Sequence, residues 1–280
     1  MSTLEATLID VGWGDSIFIE ADDNSGQKHY ALIDSNDTTY MLSSFIYLKR
    51  YFEKQKIKYA DVKPVFDFII LTHAHSDHGQ GLKKIFREFG TKHFWYSKSN
   101  NLGVLAGLMK YSNRSKNVEN HKAVNNHTPL PLSSLGDVEM KVLWPPPNHI
   151  ENDENNNSVV LHLKLGNASI VLSGDAEEDV WHQIADRIPS DTKVFKVPHH
   201  GSVNGTFDNS HNTPWFSNCP ADALLGISSH IRPYKHPHRE VIELFENHNR
   251  KYFRTDRHYH ITFQLQDGNV RVKYSHYNDV

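Results

Sequence analysis

The feature that most constrains the fold of this chain is a loop in which four potential metal ligands fall within six residues, His73-Ala74-His75-Ser76-Asp77-His78. The segment before it, Phe66–Leu71, is short, mostly apolar and rich in aromatic and β-branched residues, which predicts a buried strand. After it, apolar residues recur at helical spacing up to a glycine that can end the helix: Leu82, Ile85, Phe86, Phe89 and Gly90. The loop therefore lies between a rigid strand and a helix, where several side chains can point to one place.

Imidazole and carboxylate side chains grouped in this way suit zinc and other first-row divalent ions. The alternative is a polar, solvated turn that happens to be rich in histidine. That alternative does not explain why four residues of ligand type directly follow a core strand. We therefore expect His73, His75, Asp77 and His78 to bind metal.

Composition excludes several classes of protein. A single cysteine, Cys219, allows neither an internal disulfide nor a thiolate-rich metal cluster. The formal net charge of −3 over 280 residues does not by itself indicate a nucleic-acid partner. The N-terminal residues show no basic region followed by an apolar segment, and no apolar run approaches the roughly 18 residues of a membrane span. We expect a cytoplasmic protein that does not contact a membrane.

Predicted strands elsewhere in the chain repeatedly end at a histidine or an aspartate. The four cases are His73, Asp175, His199 and His236. Ligands gather at strand ends in open α/β layers because the loops there are free to specialise. The two halves, about residues 1–134 and 135–280, both contain strands followed by helices, with no linker between them. We expect a single domain over residues 1–280, with two sheets packed together and helices outside.

Two further sets of residues allow alternative interpretations. Asp10, Asp15 and Asp34 each stand at or near a strand end, where they either cap turns or hold metal-bound histidines by hydrogen bonds. Residues 92–122 contain several basic residues and a single acidic residue, Glu119. These basic residues either follow a phosphate backbone or form an ordinary solvated face; they include Lys98, Lys110, Arg114, Lys116 and Lys122.

Together these motifs resemble the metallo-β-lactamase superfamily. Residues 73–78 match its HxHxDH motif, and Ser173-Gly174-Asp175 is similar to its later aspartate motif. Within the superfamily, the sequence resembles the hydrolase domain of ComEC-type competence proteins. The shared elements occur in the family's order and are Asp10-Val11-Gly12-Trp13-Gly14-Asp15, Asn155-Asn156-Asn157-Ser158, Ser173-Gly174-Asp175, Pro198-His199-His200-Gly201-Ser202, Tyr234-Lys235-His236-Pro237-His238 and Arg254-Thr255-Asp256. The resemblance implies an α/β fold, a four-layer αββα sandwich of two β-sheets flanked by helices.

The chain departs from the ComEC-type pattern at several positions. His75 stands where those domains usually carry an aspartate, and Asn156 replaces an acidic residue. The glycine usually found after Arg254-Thr255-Asp256 is missing. The transmembrane channel of ComEC proteins has no counterpart in these residues. The resemblance therefore bears on the hydrolase chemistry and not on DNA transport.

The ligand set predicts a centre of two divalent ions, Zn²⁺ or Mn²⁺. His73 and His75 would hold one ion and Asp77 and His78 the other, while Asp175 has two oxygens and can bridge both. We expect His199 to complete one shell, and either His236 or His200 the other. Two such ions share and activate a water for attack on a phosphoryl centre. Asp77 would orient that water. A histidine that stays off the metal, among His200, His236 and His238, would act as general acid.

The leading hypothesis is a metal-dependent phosphodiesterase or nuclease that acts on DNA, another nucleic acid or a nucleotide. One alternative keeps the hydrolase and changes the substrate to a small ester, lactam or cyclic nucleotide. Another is a non-catalytic or regulatory subunit of a larger DNA-processing or defence complex, with a protein partner from the same operon. No feature of the sequence sets the oligomeric state.

Overall fold

The structure, a computed structural model, describes residues 1–101 and 103–275. The strands, in chain order, are β1 (Thr3–Leu8), β2 (Ile17–Asp22), β3 (Lys28–Ile33), β4 (Phe66–Leu71), β5 (Thr91–Tyr96), β6 (Val118–Ala123), β7 (Ser134–Leu135), β8 (Val138–Trp144), β9 (Val160–Leu165), β10 (Ala168–Leu172), β11 (Thr192–Lys196), β12 (Leu224–Ile227), β13 (Tyr252–Arg254), β14 (Ile261–Gln266) and β15 (Asn269–Tyr274). The α-helices are α1 (Ser43–Lys54), α2 (Ser76–Gly79), α3 (Leu82–Glu88), α4 (Gly103–Ser112), α5 (Glu178–Ile184), α6 (Pro214–Asn218), α7 (Arg239–Asn247) and α8 (Thr255–His258). Short 3-10 helices cover Glu154–Asn157, Ala185–Arg187 and Pro198–Gly201.

The strands form two mixed sheets. The first has eight strands in the order β15-β14-β1-β2-β3-β4-β5-β6, and the second has seven in the order β13-β12-β11-β10-β9-β8-β7. The last hairpin of the described chain, β14–β15, belongs to the first sheet because β14 pairs antiparallel with β1. Residues 261–274 thus return to the N-terminal sheet. A single domain over residues 1–280 stays a prediction.

Three apolar cores hold the layers together. One lies between the two sheets and contains side chains such as Leu4, Phe68 and Leu163. A second packs α1, α3 and α4 against the first sheet, and a third packs α5, α6 and α7 against the second. The predicted αββα sandwich is therefore confirmed.

The metal loop, residues 73–78, has the predicted setting. All six residues of β4 are buried, as expected for a core strand. The predicted helix is α3, which ends one residue before Phe89. A separate helical turn, α2, contains Asp77 and His78. The loop is thus partly helical, and the turn fixes the directions of these two side chains.

Strand directions explain why the ligands can meet. In the first sheet β3, β4, β5 and β6 run parallel, and in the second β10, β11, β12 and β13 do so. Parallel strands bring their carboxyl ends to one edge of a sheet. The segments that leave these edges toward the site are residues 34–37 and 72–75 in the first sheet, and residues 173–177, 197–202 and 228–238 in the second.

The basic stretch of residues 92–122 is divided between two ends of the first sheet. Lys98 follows β5 at the carboxyl edge. Lys116 precedes β6 at the opposite edge, next to the last turn of α4, which holds Lys110. All three side chains are exposed. Among the residues that the structure describes, no helix is both long and apolar enough to cross a membrane.

Candidate metal centre

Side chains from both sheets meet where the carboxyl edges face each other. Their ligand atoms lie within 4.8 Å of one another in four groups of three: His73, His78 and Asp175; Asp77, His78 and His200; Asp15, Asp175 and His200; and Asp15, Asp34 and His78. Most of these side chains are buried, and Asp77 is partly exposed. The second half of the chain therefore supplies part of the cluster that the first half begins.

Asp175 lies at the middle of the cluster. Its Oδ2 atom is 3.2 Å from Nε2 of His78 and 3.1 Å from Nε2 of His200. Burial alone would raise the pKa of Asp175, but the imidazoles of His200 and His78 hold that pKa well below its ordinary value. An ionised carboxylate at this position has two oxygens to offer a cation.

Hydrogen bonds fix the orientation of both imidazoles. Nδ1 of His78 donates to Oδ2 of Asp34 at 2.8 Å, and Nδ1 of His200 donates to the carbonyl oxygen of Ser228 at 2.9 Å. Because each ring uses Nδ1 for this bond, its Nε2 faces Asp175. A metal-binding imidazole is usually held in the same way, with one nitrogen hydrogen-bonded and the other facing the ion. Burial raises the pKa of Asp34. The hydrogen bond places Asp34 behind a candidate ligand histidine, as one of the two interpretations of the sequence expected.

His73 and His75 form a second pair of neighbouring imidazoles, in the metal loop. Nε2 of His73 lies 3.1 Å from Nδ1 of His75, and Nδ1 of His73 lies 3.3 Å from the Ser158 hydroxyl. Burial lowers the pKa of His73 well below its ordinary value. A neutral imidazole is the form that binds a cation.

The turn that carries His199 and His200 is strained. Both residues have positive φ, 45° and 55°, a region that non-glycine residues rarely adopt. Strain of this kind persists where the surroundings over-determine the backbone, and it concentrates at functional sites. Here it points two consecutive side chains in different directions. His200 enters the buried cluster, while His199 lines the open cleft.

The cleft above the cluster has a volume of about 420 Å³. Asp77, His75, His199 and His236 line it, beside Asp175. Nδ1 of His199 approaches Oε1 of Glu177 at 2.7 Å. Burial acts to lower the pKa of His199, but Glu177 and Asp175 raise it above its ordinary value. Burial lowers the pKa of His236 to about 4. The roles of His199 and His236 as metal ligands stay predictions.

A buried lysine at the base of the cluster is a member that the sequence did not predict. Nζ of Lys196 lies 2.7 Å from Oδ2 of Asp15 and 3.6 Å from Oδ1 of Asp175, and it donates to the carbonyl oxygen of Gly174 at 2.9 Å. Burial acts to lower the pKa of Lys196, but Asp15 and Asp175 raise it. Lys196 ends an apolar strand just before Pro198-His199-His200, the one sequence signal for its position.

The residues fit a site for divalent cations. Within the described residues, the polar atoms Asp15 Oδ1, Asp175 Oδ1 and His200 Nε2 are buried without a hydrogen-bond partner. Uncompensated polar atoms of this kind are costly, and a bound cation satisfies them. Imidazole nitrogens with carboxylate oxygens suit Zn²⁺, Mn²⁺ or Fe²⁺.

The chain is similar to several known proteins. A curated relative, ComE operon protein 3 of Bacillus subtilis (strain 168), is 28% identical over 282 residues, covering 96% of this chain and 33% of the relative. The chain thus spans about a third of that relative's length.

Solved structures share the fold. Igni18, a metallo hydrolase from the hyperthermophilic archaeon Ignicoccus hospitalis, matches with a TM-score of 0.55 at 15% identity, over 94% of this chain and 99% of that one. CmlA, a diiron beta-hydroxylase from Streptomyces venezuelae, matches with a TM-score of 0.54 at 14% identity, over 94% of this chain and 54% of that one.

Residues 5–209 match the family model described as the metallo-beta-lactamase superfamily. That match covers well over half of the chain and includes His73, Asp77, His78, Asp175 and His200. It supports a metal-dependent hydrolase. The chain belongs to the metallo-β-lactamase superfamily.

Proposed function

We propose that this chain is a metal-dependent phosphodiesterase that cleaves nucleic acid. The observation that carries the proposal is the buried His–Asp cluster around Asp175, open to solvent through a cleft of about 420 Å³. Imidazoles and carboxylates grouped in this way can hold two divalent ions, which suit hydrolysis of a phosphate diester.

His73, His75 and Asp175 would hold one ion, and Asp77, His78, Asp175 and His200 the other. Such ions, when bound, lower the pKa of water and polarise phosphoryl oxygens. The chain's own part is to fix these ligands. Asp34 orients His78, and the carbonyl of Ser228 orients His200. In this assignment His200, which the sequence analysis considered both as a ligand and as a general acid, serves as a ligand because its Nε2 lies 3.1 Å from Asp175.

In place of the ligand role that the sequence predicted for it, we propose His199 as the general acid. Its Nδ1 faces Glu177, and its ring lines the cleft, so Nε2 is the nitrogen left to serve a leaving oxygen. The raised pKa favours the protonated ring that a general acid requires. His236 is the poorer candidate because burial lowers its pKa to about 4.

Cations around the cleft support a polyanionic substrate. Arg232 and Lys235 are exposed on the turn that carries Tyr234, which lines the cleft. Among the described residues, no carboxylate lies within ion-pair distance of Arg232 or Lys235. Lys98 lies in the loop after β5, and Glu154 links that loop to the metal loop through hydrogen bonds with Ser99 and Ala74. The resemblance to ComEC-type hydrolase domains also implies a nuclease.

The test combines metal analysis with a cleavage panel of single-stranded DNA, double-stranded DNA and RNA. We expect the wild type to hold about two ions and to cleave at least one polynucleotide, with loss of activity in chelator. Asp77→Ala and Asp175→Asn should each reduce kcat by about 100-fold or more, since even residues that support ligands contribute 10- to 100-fold. The control is Asp222→Asn, an exposed carboxylate that pairs with Lys193 near the amino end of β11.

The other outcomes distinguish the remaining hypotheses. If the metal-loaded protein hydrolyses bis-(p-nitrophenyl) phosphate but no polynucleotide, a small substrate replaces nucleic acid. If it hydrolyses neither, the proposal is wrong and a regulatory subunit is the better account. DNA affinity should also fall steeply with salt, because phosphate contacts release counterions.

A further inference from the structure

Three aromatic side chains form one wall of the cleft beside the metal centre. The ring of Trp13 lies 4.6 Å from that of Tyr234 and 5.4 Å from that of His236. Trp13 also lies 4.7 Å from the ring of His200. This aromatic wall (Trp13, Tyr234 and His236) therefore runs from the buried ligands to the cleft mouth, where Tyr234 is 62% exposed.

Core packing does not explain the wall. Trp13 belongs to none of the three apolar cores formed by the described residues. The other four tryptophans are each at most 2% exposed, and they are Trp95, Trp144, Trp181 and Trp215. A partly exposed tryptophan and an exposed tyrosine next to a charged cluster leave aromatic surface in contact with water. Aromatic side chains that line a cleft beside a few polar groups are typical of a binding site.

The wall is held in place by its backbone. Gly12 and Gly14 flank Trp13, with φ of 69° and 94°. The carbonyl oxygen of Trp13 accepts a hydrogen bond from the side chain of Asn36. These features keep the indole at a defined position facing the cleft.

The aromatic faces and the charges around the cleft favour one class of ligand. Aromatic faces stack on nucleobases, and cations hold phosphates. Here Arg232 and Lys235 are exposed on the turn that carries Tyr234, and the carboxylates Asp77 and Asp175 line the same cleft as Trp13 and Tyr234. A substrate with a flat aromatic group and a phosphate matches both. In a duplex both faces of each base are covered, so only an unstacked base can reach the wall.

Building on the proposed function, we propose that the aromatic wall stacks the nucleobase next to the scissile phosphate. The preferred substrate is then a single-stranded, base-bearing nucleic acid. A duplex, or a diester without a base, is a poorer substrate.

The test compares three substrates of one length: a single-stranded oligonucleotide, the same strand with abasic sites throughout its centre, and the paired duplex. We expect kcat/KM of the wild type to favour the base-bearing strand over the abasic strand by about tenfold or more, the size of one stacking contact. Trp13→Ala and Tyr234→Ala should bring this ratio close to one, while Tyr234→Phe keeps it. The ratio does not depend on the folded fraction, since one preparation cleaves both substrates.

The matched control is Ile231→Ala, which removes an exposed apolar side chain from the same turn as Tyr234. It should leave the ratio unchanged. Equal cleavage of the two strands by the wild type, or an unchanged ratio in Trp13→Ala, would overturn the inference and leave the phosphodiesterase intact. Absence of all cleavage would instead count against the proposed function.

Tryptophan fluorescence of the metal-free protein tests the wall without catalysis. Because the other four tryptophans are buried, quenching by an added strand reports on Trp13. We expect the base-bearing strand to quench the emission and the abasic strand to leave the emission unchanged. Trp13→Phe should remove the quenching. Equal quenching by both strands would contradict stacking.

Discussion

At the residue scale, Gly14 determines how closely the loop between β1 and β2 approaches the metal loop. A Cβ atom at this position would lie 2.2 Å from the carbonyl oxygen of Asp77. The backbone amide of Asp15 is 3.4 Å from that same oxygen. Position 14 therefore requires a glycine, because its φ is 94° and because the carbonyl oxygen of Asp77 occupies the space that a Cβ atom would take.

We expect Gly14→Ala to lower the free energy of unfolding and to weaken zinc binding, because the added methyl pushes the two loops apart. Gly26→Ala is the matched control. Gly26 has a similar φ of 83°, but no atom lies within 4 Å of the place that an added methyl group would take. The control should lose only the conformational cost, about 1 to 2 kcal/mol. Urea unfolding and calorimetric zinc titration measure both effects, and equal losses in the two variants would contradict this account.

Lys196 and Asp15 form a buried ion pair whose removal should be costly. Lys196→Met leaves the carboxylate of Asp15 buried without its cation, an expected loss of about 3 to 5 kcal/mol in unfolding free energy. Lys196→Met combined with Asp15→Asn should recover part of that loss, since the unpaired charge is gone. Unfolding by urea in chelator gives the comparison. Lys193→Met, at a more exposed pair with Asp222, should change stability by about 1 kcal/mol or less.

At the element scale, Asp37 anchors the start of α1. Its carboxylate oxygens accept from the backbone amides of Ser44 and Phe45, each at 2.8 Å. We expect Asp37→Ala to lower the unfolding free energy by about 1 to 2 kcal/mol, the usual effect of losing a helix cap. Asp37→Asn keeps one acceptor and should lose less. Equal stability of the alanine variant and the wild type, measured by urea unfolding, would show that water satisfies these amides.

The local pattern predicted single elements well and their assembly only in part. Phe66–Leu71 is a short, mostly apolar segment, and apolar residues at helical spacing follow it. The sequence therefore predicted both the buried strand and the position of the metal loop after it. The pairing of β1 with β14 joins residues more than 250 positions apart, which no local period records. Likewise, strand periodicity does not show that Lys196 faces the cluster. Its buried setting depends on Asp15 from the other sheet.

At the scale of the whole molecule, the sandwich brings two incomplete sets of candidate ligands together. His73, Asp77 and His78 come from the first sheet, and Asp175 and His200 from the second. The motifs of the sequence indicated both sets and predicted His199 as a ligand, with His200 only as an alternative to His236, whereas the structure brings His200 into the cluster. The positive φ of both residues sends one into the cluster and the other to the cleft. The choice between them follows from backbone geometry that only the packed sheets impose.

Histidines outside the metal cluster connect the stability of both sheets to pH. Burial lowers the pKa of His93 on β5, His162 on β9 and His260 just before β14. Nδ1 of His260 also accepts a hydrogen bond from the amide of Asp10, which requires that nitrogen to be unprotonated. The fold thus favours the neutral form of all three rings.

The sign of the pH effect follows from these shifts. A histidine with a lowered pKa contributes stability above its unfolded pKa of about 6.5, and that contribution is lost as the pH falls toward the folded pKa. We therefore compare the wild type with the triple variant His93→Gln, His162→Gln and His260→Asn, both in chelator. The unfolding free energy of the wild type minus that of the triple variant should be larger at pH 7.5 than at pH 5.5. Buried carboxyls and the cluster histidines are common to both proteins and cancel. A difference that grows as the pH falls would show that these rings are charged in the folded state.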